Sequence, residues 1–332
     1  MLNPKGPAQN APPSEPKQML TLSKTDNKQI VQINYSSLEL IQTCLRKAHY
    51  SLNRRLRQEA ESDALAFGTS IHKALEHWYQ LPVEERLLPD NLKEEAEMMA
   101  FGHKIDKPAR QGALEAIRQF ATARRDVLQA LPEEDKRSLA SGIRILRAYF
   151  KRYHDDGLEV ARDKFGIPYI ERSFSFPIVE LENLQINYFG TIDVILQNKE
   201  TGVLMVADHK TTASLGSEFY NRCKPNYQYT GYVLGAREAL GLNTNLFMIN
   251  GIQTAKTKTE FARQVTERTD DDFAELKKAV AWRVHEWLRA TETANYVQTA
   301  PQPCSSYGGC QYRVICEVPE KLKESVIKST YK

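Results

Sequence analysis

Residues 186–196 read Ile-Asn-Tyr-Phe-Gly-Thr-Ile-Asp-Val-Ile-Leu, and residues 201–211 read Thr-Gly-Val-Leu-Met-Val-Ala-Asp-His-Lys-Thr. The first is a strand candidate, Ile186 to Leu196, rich in β-branched and aromatic residues. The second opens on a Thr201-Gly202 turn, and Val203 to Ala207 reads as a short, well-buried strand. Asp208 stands where that apolar run meets polar residues. Side chains two apart on a strand share a face, so Asp208 and Lys210 project together. An antiparallel hairpin then brings Asp193 beside both.

Two carboxylates and one ammonium at a sheet end fit metal-assisted hydrolysis of a phosphodiester. Oxygen ligands suit Mg²⁺ or Mn²⁺. Such an ion polarises the phosphate and lowers the pKa of a bound water. A nearby lysine orients that water or stabilises the charge that develops. Read alone, Asp-x-Lys is a surface ion pair, and the hairpin with its own Asp193 is what lifts it above that reading.

Working outward, Ile170, Phe174, Phe176 and Ile178 alternate with mostly polar neighbours and predict a strand. Upstream, the texture is helical. Ile71, Leu75 and Trp78 recur at helical spacing, as do Leu114, Ile117 and Phe120, and Ile143, Leu146 and Phe150. Ser36 and Glu39 have capping-box spacing ahead of Leu40, Ile41, Cys44 and Leu45. Downstream, a helix is expected around Tyr227 to Leu240 and strands at 246–252 and 259–266. A long amphipathic helix through Phe273, Leu276, Val280, Val284 and Trp287 follows, capped by Asp270 or Asp271. The pattern is an α/β core behind a helical N-terminal region. Its expected divisions are a disordered tail at 1–28, a helical part at 29–160, the core with a cysteine segment at 161–318, and a tail at 319–332.

At this point the residues resemble a known family. Gly190-Thr191-Ile192-Asp193, then Asp208-His209-Lys210-Thr211, then Gln228-Tyr229-Thr230-Gly231-Tyr232 look like the motifs of RecB-type nucleases of the PD-(D/E)XK superfamily. Phe67-Gly68-Thr69-Ser70-Ile71-His72 is similar to that family's histidine element on an upstream helix. The resemblance runs from about Tyr35 to Cys316. It implies a restriction-endonuclease-like core, a central mixed sheet flanked by helices. It implies a metal held by His72, Asp193 and Asp208, with His209 contributing its backbone carbonyl. Lys210 would position or activate the water, and Gln228 and Tyr232 would contact the DNA backbone or brace the site. The family tolerates Asp208 where many members carry glutamate.

Cys304, Cys310 and Cys316 are evenly spaced near the end of the chain, and Cys44 stands far upstream. Some RecB-type nucleases, including the CRISPR-adaptation and AddB types, tie the two ends of the domain with a [4Fe-4S] cluster. The arrangement here is similar, and four thiolates are the right count. The spacing departs from that family, whose triplet often begins Cys-x-x-Cys. Structural zinc is the rival, although zinc prefers tight cysteine pairs; unligated cysteine is the third reading. Cys223 lies outside the pattern and reads as a buried small hydrophobe.

The chain has 332 residues, 41% hydrophobic and 26% charged, an ordinary globular composition. A net charge of +3 does not by itself argue for nucleic acid. Locally, Arg46, Lys47, Arg54, Arg55 and Arg57 are uninterrupted by acids, and they are the candidates to meet DNA phosphates. No run of 18 apolar residues occurs, so no membrane span is expected, and a cytoplasmic location follows by default. No Walker A sequence is present, so a helicase motor would belong to a partner; recombination, repair and CRISPR adaptation all suit such a nuclease. Two rivals stand beside this reading. One is a DNA-binding subunit with a nuclease fold that does not cut, against which the intact acids and lysine speak. The other is a redox-responsive regulator built on a cysteine-bound metal, against which the carboxylate hairpin speaks.

Overall fold

The computed structural model describes residues 20–25, 28–57, 62–87, 112–305 and 309–331. Eight strands form one mixed sheet. β1 (Leu20–Thr25) and β2 (Lys28–Ile33) make an antiparallel hairpin whose second strand runs parallel to β5 (Leu184–Asn198). β3 (Leu158–Val160) and β4 (Ile170–Glu180) run antiparallel to β5. β5 returns as β6 (Leu204–Thr212), β7 (Leu246–Gln253) lies parallel to β6, and β8 (Phe261–Glu267) closes the sheet antiparallel to β7.

Helices cover both faces, as a sheet apolar on both sides requires. On one face α2 (Asp63–Gln80), α3 (Gly112–Ala123) and α4 (Leu139–Tyr153) pack on Val194, Leu196, Ala207, Met248 and Ile252. On the other, α1 (Tyr35–Thr43), α5 (Tyr227–Glu238) and α6 (Asp270–Glu292) pack on Ile192, Ile195, Val206, Phe247 and Ile249. Trp78 anchors the first layer and Trp287 the second, each essentially without solvent exposure. A third, smaller cluster joins Tyr50 and Leu56 to Tyr312, Ile315, Ile327 and Tyr331.

The faces of β5 exchange along its length. Ile186, Tyr188 and Ile192 point into the second core, whereas Val194 and Leu196, of the same parity, point into the first. The change falls at Asp193. β4 changes in step: Phe174 and Phe176 face the second core, Ile170 the first. Its switch falls at Glu171, which adopts φ 47°, a left-handed conformation uncommon outside glycine. Both strands turn over together, so their pairing stays one-to-one from Ile170↔Val194 to Arg172↔Ile192.

The α/β architecture and the strand order around the hairpin agree with the sequence reading; several details differ. Residues 20–25 and 28–33, partly inside the expected tail, form the β1–β2 hairpin. The first helix is capped by Asn34, whose Oδ1 accepts the Ser37 N–H at 2.9 Å, rather than by Ser36. The long helix is capped by Thr269 in a capping box with Asp272, one residue before the expected acids. The expected tail at 319–332 contains α7 (Glu320–Thr330), which contributes Ile327 to the third cluster. Residues 1–19 and 88–111 lie outside the described residues.

Two glycines set the seat of α5. A Cβ on Gly231 would lie 2.5 Å from the Tyr188 hydroxyl, and one on Gly235 would lie 2.5 Å from the Phe174 ring. Spaced one helical turn apart, they let the backbone of α5 close on the sheet. Tyr188 is fully buried and has nowhere to retreat. Gly231→Ala is therefore expected to lower the unfolding free energy by about 1–3 kcal/mol, read as a reduced urea midpoint. An unchanged midpoint would show that the contact is not tight.

Candidate active site

The β5–β6 ladder ends at Val194↔Ala207, just as β5 turns over. On β6 the next N–H and C=O directed toward β5 belong to His209. Without a strand opposite, they need other partners. Asp193 Oδ2 accepts the His209 N–H at 2.9 Å. His72 Nε2, from α2, approaches the His209 carbonyl oxygen to 2.7 Å, and its Nδ1 lies 3.3 Å from Asp193 Oδ2. A carbonyl only accepts, so Nε2 carries the proton.

Asp208 is 2% exposed, and its Oδ2 forms an ion pair with Lys210 Nζ at 2.6 Å. Burial is the largest single influence and works against the lysine's charge, but Asp208, Tyr229 and Asp193 together outweigh it and hold the ammonium well above its ordinary pKa. Lys210 is a cation here, suited to charge stabilisation rather than to proton abstraction. Burial and the neighbouring Asp208 charge push Asp193 from 3.8 up to about 6. From α5, Gln228 Nε2 donates to the Tyr232 hydroxyl at 3.1 Å. Burial and Asp208 raise the Tyr232 phenol to about 12, so it stays a donor.

The sequence reading missed Glu171. Its carboxylate, the Asp193 carboxylate and the His72 imidazole place one ligand atom each within 4.8 Å of one another. Two ligands of one ion at roughly 2.0–2.6 Å lie up to about that far apart. Glu171 keeps an exposed edge to solvent, yet the protein atoms around its carboxylate, then the charges of Asp193 and Glu76, raise it to about 7. An oxygen-rich set whose charges repel one another fits a hard divalent cation. Asp208 is not among these three; its charge acts on Asp193 from beside them, and its own carboxylate is paired with Lys210.

The His209 side chain turns away. It is 3% exposed, stacks on Tyr79 and faces Asn250 Nδ2 through its Nδ1. Its imidazole is not part of the ligand set, and burial keeps it neutral, well below the ordinary histidine pKa. The basic stretch divides. Arg46 hydrogen-bonds the Tyr296 carbonyl and Gln298, and Arg54 pairs with Glu324 at 2.9 Å. Arg55 and Arg57 are exposed, and Lys47 lines a groove with Tyr35 and Gln311.

The four expected cysteines gather in one neighbourhood. The Thr299 N–H reaches Cys44 Sγ at 3.5 Å, and Cys304 Sγ lies 3.9 Å from the Thr299 carbonyl. The Cys310 N–H donates to the Cys304 carbonyl at 3.0 Å. Burial raises the Cys316 thiol, Arg46 opposes that, and Cys310 and Cys44 add to it. Among the described residues, however, only His72, Glu171 and Asp193 reach ligand-sharing distance as a set of three. Cys223 is buried elsewhere.

A family model, that of the PD-(D/E)XK nuclease superfamily, matches residues 32–317. No curated protein matches the chain significantly. Among solved structures, the chain is similar to a protein of Eubacterium rectale provisionally assigned as an exonuclease, with 14% identity, 86% of this chain and 88% of that one covered, and a TM-score of 0.44. It is also similar to the protein SSO0001, with 13% identity, 84% and 94% covered, and a TM-score of 0.32.

The raised carboxylates make a pH-dependent expectation. In the folded protein Asp193 and Glu171 hold their protons to about 6 and about 7. Unfolded, they release them near 4. Folding then binds protons, so the stability these groups contribute falls as pH rises through that window. In EDTA, Tm should drop between about pH 5 and pH 8, and Asp193→Asn should flatten the drop. Mn²⁺ should restore Tm at the higher pH in the wild type alone. A Tm that climbs over that range would contradict the site's electrostatics.

Proposed function

The chain belongs to the PD-(D/E)XK nuclease superfamily, and on that premise we propose that it hydrolyses DNA phosphodiester bonds with Mg²⁺ or Mn²⁺. The observation that carries the reading is the convergence of ligand atoms of His72, Glu171 and Asp193 within 4.8 Å, near enough to the Asp208–Lys210 ion pair for both charges to act on Asp193. His72, Asp193 and Glu171 would hold the cation, with Asp208 and the His209 carbonyl as the further ligands the motif resemblance implies. When bound, the ion supplies Lewis acidity to the phosphate and a water of lowered pKa. Lys210 stabilises the charge that builds on the phosphate and orients the water. The Tyr232 hydroxyl, braced by Gln228, donates to a phosphate oxygen. Lys47, Arg55 and Arg57 meet the DNA backbone farther out, while Arg46 and Arg54 are committed within the protein. Exonucleolytic action on ends or single strands, with a helicase or recombination partner, is the mode that the likeness to RecB-type motifs favours.

Asp208→Ala and Lys210→Ala should each slow cleavage of end-labelled DNA at least ~100-fold, while DNA binding largely survives. Wild-type rates from Asp208→Ala protein would overturn the assignment. Wild-type protein that binds DNA but leaves it intact with Mn²⁺ would select the non-cleaving subunit.

The gathering of Cys44, Cys304, Cys310 and Cys316 supports a [4Fe-4S] cluster as a second component of this reading, with zinc as the rival occupant. Thiolates suit either metal, and binding would join the first helix to the C-terminal segment. Protein purified without oxygen should be brown, with iron and sulfide near four each per chain, and Cys304→Ser should bleach it. Colourless protein with stoichiometric zinc would replace the cluster by zinc.

A further inference from the structure

Behind the site, three polar residues stand in a row across adjacent strands. His209 on β6 is in register with Asn250 on β7, and Asn250 with Arg263 on β8. The row lies on the face covered by α2 and α4, beside Met248 and Ile252. Asn250 is fully buried in a strand that is otherwise apolar there, so its amide must be satisfied inside the protein.

Its partners fix its orientation. Arg263 offers only donors, and its Nε lies 3.4 Å from Asn250 Oδ1. The two N–H bonds of Nδ2 are thereby directed to the Tyr149 hydroxyl at 2.6 Å and to His209 Nδ1 at 2.7 Å. His209 Nδ1 must then accept, and the ring proton sits on Nε2. Arg263 NH2 also reaches the Tyr79 and Tyr149 hydroxyls at 3.2 and 3.3 Å, and those hydroxyls lie 2.8 Å apart. Its NH1 pairs with Asp156, and its guanidinium lies 3.7 Å from the Tyr153 ring centroid. Tyr79 meanwhile stacks on the His209 ring. The ring is held by one face and by one nitrogen, and every holder is itself held.

We propose that Asn250 is a positioning residue for the metal site: by locking the His209 ring it fixes the His209 peptide, whose N–H holds Asp193 and whose C=O faces His72. Asn250 touches none of the reacting atoms. It acts at the one residue whose backbone serves both ligands. Groups that orient ligands in this indirect way typically change metal affinity 10–100-fold.

This inference deepens the nuclease reading, and its first test does not depend on it. Asn250→Asp is nearly isosteric and keeps an oxygen toward Arg263, but it presents an acceptor to His209. In metal-free, ¹⁵N-labelled wild type, His209 should show the Nε2–H tautomer; Asn250→Asp should move the proton to Nδ1. Calorimetric titration of metal-free protein should show Mn²⁺ binding weakened at least ~10-fold in Asn250→Asp. Tyr149→Phe, which leaves the Asn250–His209 bond in place, should stay within about threefold of wild type and shows what loosening the core alone does. Should Asn250→Asp fail to fold, Asn250→Ser carries the same comparison, with its smaller side chain out of reach of His209. A wild-type tautomer in folded Asn250→Asp, or Mn²⁺ affinity equal to that of Tyr149→Phe, would overturn the proposal. If wild type leaves DNA intact while the tautomer and Mn²⁺ results hold, the nuclease reading fails and the role of Asn250 stands.

Discussion

Where two paired strands part company, the backbone groups between them still require hydrogen bonds. β6 leaves β5 at Ala207, and His209 is the residue left facing the gap. A water-filled gap would have satisfied it cheaply. Here the gap is filled by two ionisable side chains, Asp193 on the N–H and His72 against the C=O. The rest of the molecule can be understood as what makes that exchange tenable. The simultaneous turnover of β4 and β5 delivers Glu171 and Asp193 to the gap. α2 delivers His72 while burying Ile71 and Leu75 beneath it. The close seat of α5 on its glycines brings Tyr232 up to Asp208.

The result is electrostatically uneven. Glu171 and Asp193 repel, Asp208 adds to the repulsion, and Lys210 answers only Asp208 directly. A purely structural corner gains nothing from such an arrangement, since buried charges are stabilising only when closely paired. It is the usual condition of a site whose balance is completed by something bound. The Lys210 cation also decides between two roles open to it: a lysine held charged by a carboxylate is poor at taking a proton and good at opposing negative charge.

The hairpin was legible because its signals are local. Apolar runs, a Thr-Gly turn and acids at a strand end lie within about 25 residues of one another. The motif resemblance extended that to His72 and Tyr232. Glu171 was not legible, because Ile170-Glu171-Arg172 looks like any edge strand with charged outward residues. Its placement depends on a left-handed φ that nothing in its neighbours demands. Asn250 carried a faint signal, a lone amide inside Phe247–Ile252, but its partners lie on three other elements. The β1–β2 hairpin was hidden by composition: a Pro-rich stretch before it masked the alternating residues of β2. Arg46 and Arg54 read as free cations for want of knowing that Gln298 and Glu324, some 250 residues away and more, would meet them.

The third cluster has a bearing on how the chain comes into being. Tyr50 and Leu56 share their apolar cluster with Tyr312, Ile315, Ile327 and Tyr331, and the Leu56 carbonyl accepts from the Tyr312 hydroxyl, 256 positions later. During synthesis domains form from the N-terminal side at about 5–20 residues per second. The sheet, from β2 to β8, and every residue of the metal corner have therefore been made before Tyr312 emerges. A nascent chain at that stage already carries every residue of the candidate metal corner, while the apolar notch at Tyr50 and Leu56 still lacks these later partners. Until Tyr312, Ile315, Ile327 and Tyr331 have been made, Tyr50 and Leu56 have none of these apolar partners to pack against.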